Sequence, residues 1–236
     1  MDGDDEIEQD MYERLLGNAK KYSADISHCG YQMHFADGRV HYFHNTGVRE
    51  QHDKVSALRE LLSGVKIEPG LCNKLYRREV FLGLDMPVDI RINEDLLMNY
   101  YLFANATSSV FEDLCPYHYI VRNGSASRAK WNPHKIYDPI LVKEIIRQAA
   151  GDELRRDAQC AYLNTCINTY NSLLSSGNTY IADRRKVRRL LVAERTTFSL
   201  LGRRRNIMAR LIVGMPLLYK PVYLFYSRFL QDNPYS

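Results

Sequence analysis

Residues 1–16 read MDGDDEIEQDMYERLL, and four carboxylates stand in the first six positions: Asp2, Asp4, Asp5 and Glu6. No Lys or Arg interrupts the acidic groups from Asp2 to Glu13, so nothing within the segment neutralises them. Met11, Leu15 and Leu16 follow at helical spacing, and acids ahead of a helix suit the positive end of its dipole. The same letters allow a second use. Carboxylates at i and i+2 with a small residue between them, as in Asp2-Gly3-Asp4, can converge on one hard divalent cation that also binds phosphate oxygens. A calcium loop of the EF-hand kind is excluded, because a loop opening on Asp2 has Ile7 at the sixth position, where glycine is needed.

A chain of 236 residues is long enough to bury a sizeable core. Its five cysteines are odd in number, widely spaced and without a C-x-x-C pair, and no signal peptide precedes them. They read as free thiols in a reducing compartment, which makes the expected location cytoplasmic. The net charge of +4 conceals a gradient. From Arg184 to Ser236 twelve Lys and Arg face only Glu194 and Asp232, a local balance of +10. Such an end wants an anionic partner, either a membrane surface or nucleic acid.

Along the chain, residues 9–22 read as a helix. Residues 24–44 read as a hairpin turning on Asp37-Gly38. REQHDKVSALRELLSG reads as an amphipathic helix closed by Gly64, and NKLYRREVFLGL as a short third one. INEDLLMNYYLFANA is helical with Glu94 and Asp95 in its first turn, and TSSVFED and YHYIVRN read as two strands. From Asn132 onward the pattern becomes long helices at 133–150, 152–176 and 183–200. The final piece, RRRNIMARLIVGMPLLYKPVYLFYSRFL, has its longest uncharged run from Leu211 to Tyr219, far short of the roughly 20 residues needed to span a bilayer. It either lies on a membrane with Arg203 to Arg205 facing anionic lipid, or packs on the domain. The apolar and aromatic content of 207–230 argues against nucleic acid.

Four segments in order, DGDDEIEQDMYERL, CNKLYRREVF, INEDLLMNYYLFANA and CPYHYIVRNGSASR, resemble the family 2 glycosyltransferases of bacterial surface-polysaccharide synthesis. Those enzymes carry a D-S-D-D-W-I-x-P-D-M-Y segment, a W-N-K-L-Y-[KR]-R segment, a Glu-Asp pair opening a helix, and a Y-Y-x-R-x-x-S segment. The resemblance covers residues 1–130 well and the rest loosely.

It implies an α/β chain with a partial GT-A fold, the nucleotide-diphospho-sugar transferase type, lacking the N-terminal nucleotide-binding βαβ units. Residues 1–130 would be its metal and acceptor part, 131–202 an α-helical extension and 203–236 a basic amphipathic segment. Asp4 and Asp2 would hold Mn²⁺ or Mg²⁺, with Asp2 also meeting the nucleotide. Asp95 would be the general base of an inverting transfer. Glu94, Asn73 and Lys74 would bind substrate, and Arg122 would meet a phosphate. The implied partners are a nucleotide-sugar donor, UDP-sugar foremost, and a saccharide or lipid-linked acceptor at the inner face of the cytoplasmic membrane. The departures are Gly3 for Ser, Glu6 for Trp and Cys72 for Trp, the last removing a stacking surface for a sugar. Without the βαβ units, weak or no activity is expected of the chain by itself. The competing expectation is a non-catalytic relative that acts as a membrane-surface or partner-binding module through its basic tail.

Overall fold

The computed structural model describes residues 5–43, 45–86, 89–121 and 131–229, with positions 226, 228 and 229 described by backbone alone. The chain divides into two compact units, 1–132 and 133–236.

The first unit is mixed α/β, built on a six-stranded sheet. Two long strands form its spine, β2 (Ile26–Phe35) and β6 (Ser108–Val121), which run parallel to one another. All other strands attach to one of these two and run antiparallel to it. β1 (Glu6–Ile7) and β4 (Arg49–Asp53) line up along β6, while β3 (Val40–Tyr42) and β5 (Lys74–Tyr76) line up along β2. Among the described residues three α-helices complete the unit: α1 (Met11–Tyr22), α2 (Lys54–Ser63) and α3 (Glu94–Asn105). Met11 and Leu15 of α1 bury against Cys29 of β2 and Tyr117 of β6. On α2, Ala57, Leu58, Leu61 and Leu62 are buried, as are Leu96, Leu97, Leu102 and Phe103 on α3.

The pairing of β2 with β6 breaks register once. Cys29 pairs with Glu112 and Tyr31 with Tyr117, so β6 carries three more residues through the break than β2 does. Pro116 falls within this stretch, where the ladder needs no N–H. Asp113 is buried in the same stretch. Its carboxylate accepts the backbone N–H groups of Asn45 and Thr46 at 2.9 and 3.0 Å, and the Thr46 hydroxyl. On β2 the break is at Gly30, where a Cβ would stand 2.9 Å from the Leu114 carbonyl oxygen and 3.0 Å from the Phe43 carbonyl oxygen.

Several expectations hold. The α1 helix, the hairpin with Gly38 at φ +85°, the Gly64 cap at φ +65° and the α3 helix stand as read. Others need correction. The polar run Arg49–Asp53 is an edge strand rather than the start of α2; only His52 in it is buried, so it carries no apolar alternation to reveal it. The expected third helix is the strand β5 followed by a single 3-10 turn, Arg78–Phe81. The two expected strands at 108–121 are one continuous strand through Pro116.

The second unit is helical: α4 (Pro133–Ala149), α5 (Arg155–Ser175), α6 (Ile181–Ala193), α7 (Arg203–Gly214) and α8 (Pro216–Phe229). The long α5 is its axis, with twelve buried residues from Ala158 to Leu174. Arg147 of α4 knots the bundle, donating to Glu144, to Gln159 of α5 and to Glu194, which follows α6, while its guanidinium lies 4.5 Å from the ring centre of Tyr162. α8 is tied to α5 by the Tyr219 hydroxyl, which donates to Asn171 at 2.8 Å. Among the described residues no helix is long and apolar enough to cross a membrane.

Two glycines give opposite expectations. Gly30→Ala should lower unfolding stability by about 1–3 kcal/mol, because two carbonyl groups and the Cys115 sulfur must yield. Gly17, exposed in α1 with nothing within 4 Å of its would-be Cβ, should gain about 0.5–1 kcal/mol as alanine. Urea melts of the two variants check both signs.

Candidate active site

One cavity of about 230 Å³ gathers residues from five parts of the first unit: Asp5, Tyr31, Met33, Glu68, Gly70, Cys72, Asn73, Asp95, Tyr117 and Tyr119. Its lining holds three carboxylates and the half-buried rings of Tyr31 and Tyr119, which makes it a place where hydroxyl-rich ligands can be hydrogen-bonded and stacked upon.

Asp95 enters from the first turn of α3. Asn93, in the left-handed conformation at φ +66°, turns the chain into the helix. The Asp95 carboxylate accepts the Leu96 N–H at 2.7 Å. Burial pushes its pKa up to about 6, and the charges of Glu94 and Glu68 push the same way, while the Leu96 hydrogen bond and Lys74 oppose them. A carboxylate so placed takes up a proton near neutrality, which suits a general base.

Glu68 enters from the loop between α2 and β5, and that loop is held from two sides. The Lys74 ammonium donates to the carbonyl oxygens of Glu68 and Gly70 and to the Asn73 side chain at 2.7, 2.6 and 2.7 Å. Asn99, one helical turn beyond Asp95, donates to the Pro69 and Gly70 carbonyl oxygens and accepts the Tyr76 hydroxyl. The Glu68 carboxylate accepts the Gly70 N–H at 2.7 Å. Lys74 is buried, and burial lowers its pKa against the pull of Glu68. Its three donors are all engaged within the protein.

Asp5 is held against β6. Its carboxylate accepts the Tyr117 hydroxyl and the Ile120 N–H. Burial, with this carboxylate beside it, pushes the Tyr117 phenol well above its ordinary value, so it stays a donor.

Of the residues singled out from sequence, Asp95 and Asn73 meet at the cavity wall. Asn73 is buried, and its side-chain amide donates to the Cys29 carbonyl, which fixes β5 to β2. Lys74 turns inward, away from a role as an open ligand, and braces the Glu68 loop. Glu94 is exposed and is not among the residues of the cavity wall; its charge acts on Asp95. Asp2, Asp4 and Arg122 lie outside the described residues. Among the described residues no three His, Cys, Asp or Glu side chains come together as a metal-binding group. The oxygen donors of the cavity are of the kind a hard divalent cation takes.

Sequence reasoning missed Glu68, Tyr31, Tyr117 and Tyr119. Tyr31, Tyr117 and Tyr119 line the cavity from β2 and β6, and Tyr31 stacks on Phe43 at 5.1 Å. Glu68 had one legible signal, a carboxylate placed directly before Pro69-Gly70 and beyond the Gly64 helix stop.

No family model and no curated protein matches the sequence. Solved structures do match. The structure is similar to that of S. aureus TarS 1–349 in complex with UDP-GlcNAc, with a TM-score of 0.69 at 16% identity, covering 95% of this chain and 66% of that one. A second structure of S. aureus TarS 1–349 gives a TM-score of 0.62 at 14% identity, over 97% and 65% of the two chains. The chain thus spans just under two thirds of the TarS length it matches, and shares its fold.

The raised pKa of Asp95 makes its ionised form a burden on folding. Its ordinary value is 3.8 and its folded value about 6, so the stability it contributes is complete below about pH 4 and is lost as pH rises through about 6. Asp95→Asn should therefore be more stable than the parent at pH 8 by about 1–3 kcal/mol, with the difference closing toward pH 4. Equal unfolding midpoints at pH 8 would show that the carboxylate is not strained by its surroundings.

Proposed function

We propose that this chain carries the acceptor and metal side of a glycosyltransferase of the GT-A, family 2 type, moving a sugar from a nucleotide-sugar donor to a saccharide or lipid-linked acceptor. The observation that supports it most is the position of Asp95. It stands in one cavity with Glu68 and with Asp5, the end of the acidic segment, and its proton affinity is raised to about 6. The fold is shared with a structure that holds UDP-GlcNAc.

In this reading the acceptor hydroxyl sits within hydrogen-bond reach of Asp95. As its oxygen attacks the anomeric carbon, the proton passes to the Asp95 carboxylate, the bond to the nucleotide diphosphate breaks, and the diphosphate leaves from the opposite face. One such displacement inverts the anomeric configuration. Glu68 orients the acceptor, the charge of Glu94 raises the proton affinity of Asp95, and Asn73 holds the wall by its bond to the Cys29 carbonyl. The half-buried Tyr31 and Tyr119 offer it ring faces, and Lys74 and Asn99 hold the Glu68 loop still. Asp4 and Asp2 would hold Mn²⁺ or Mg²⁺, which neutralises charge on the departing diphosphate when bound. Arg122 would meet a phosphate. The chain's place is the inner face of the cytoplasmic membrane, as a peripheral protein.

Calorimetric titration of UDP into the purified chain, with and without Mn²⁺, tests this reading. Binding that needs Mn²⁺ and is lost in Asp4→Ala is the expected result. No heat at about millimolar nucleotide, weaker than about −4 kcal/mol of binding free energy, would count against a donor site on this chain.

A further inference from the structure

Helix α8 turns its apolar side outward. Leu217 is 89% exposed, Leu218 63% and Val222 62%, and Pro221 and Phe225 continue the stripe. At 100° per residue these five positions cover about 140° of the helix surface. Its other side holds Tyr219, buried, stacked at 5.7 Å on Tyr223 and bonded to Asn171. The orientation of the stripe is therefore set by packing. Met215 and Ile207 are exposed on the approach to it.

The surrounding sequence is cationic without relief. Between Arg195 and Gln231 there are seven Lys and Arg and no Asp or Glu. Two bonds fix the end of α7 next to α8: Arg188 of α6 donates to the Ile212 and Val213 carbonyl oxygens. An exposed apolar stripe flanked by cations matches a surface that is apolar inside and anionic at its rim. A second copy of this chain would bring the same positive charge against it. A helix of fourteen residues is about 21 Å long against a hydrocarbon thickness of about 30 Å, so it lies along a bilayer and does not cross it.

We propose that α8 is a membrane-docking helix, which seats Leu217, Leu218 and Val222 among the acyl chains of an anionic lipid surface while the α7 cations and Lys220 meet phosphate headgroups. This deepens the peripheral location given above by naming the docking element and its lipid, and the experiment separates the two claims.

The full chain is sedimented with vesicles of phosphatidylcholine alone and with vesicles about one third phosphatidylglycerol. The expected result is binding to the anionic vesicles, weakened by salt. Leu218→Glu/Val222→Glu should reduce the partition coefficient about tenfold or more, and Arg203→Gln/Arg210→Gln/Lys220→Gln by a similar factor, both with an unchanged circular dichroism spectrum. Two results overturn the proposal: equal vesicle binding by the Leu218→Glu/Val222→Glu variant, or no vesicle binding together with self-association of the parent that this variant abolishes. UDP titration with Mn²⁺ on the same proteins keeps the readings apart. Vesicle binding without nucleotide binding removes the donor site and leaves the docking helix standing.

Discussion

Everything in the first unit hangs on two strands lying side by side. β2 and β6 are the only parallel pair in the described sheet, and each also carries two antiparallel partners. Their register breaks at Gly30, where the backbone of β6 bulges out and there is no room for a side chain. Above the break the strands present Tyr31, Met33, Tyr117 and Tyr119 to one cavity. Below it they carry His28 and Phe111, which stack at 5.0 Å, and His28 meets Phe103 of α3 edge-on at 5.9 Å. The helix that brings Asp95 thus touches, through Phe103, one of the two strands that bring the aromatic rings.

A second constraint explains how carboxylates can be gathered there. Repulsion between Glu68 and Asp95 favours the protonated acid, and the loop bearing Glu68 would swing away if it were free to. Lys74 and Asn99 prevent this by binding its carbonyl groups rather than its carboxylate. The carboxylate is left facing the cavity while the backbone behind it is locked. A buried ammonium with all donors satisfied tolerates its burial, whereas one partner removed would leave carbonyl oxygens without a donor.

Much of this was legible in the residues. Periodicity found α1 and α3, glycine chemistry found the hairpin and the end of α2, and the Glu-Asp pair marked Asp95. Lys74 and Asn73 were marked too, but as ligands; their actual contacts are with the backbone of neighbouring segments, which no local pattern reveals. Glu68 was not marked because its importance comes from a long-range meeting with α3. The strand Arg49–Asp53 was hidden because an edge strand with four polar outward residues has no apolar period. The outward apolar face of α8 was half visible, since the composition showed its apolar and basic mixture while only packing shows which side points out.

The account stands or falls on the state of the Asp95 carboxyl group. Following its carbon resonance through a pH titration measures that directly, in the parent chain and in Glu68→Gln. The account predicts a midpoint near 6 in the parent and a lower one once the Glu68 charge is gone. A midpoint at about 4 in both proteins, the value of an ordinary solvated aspartate, would contradict it.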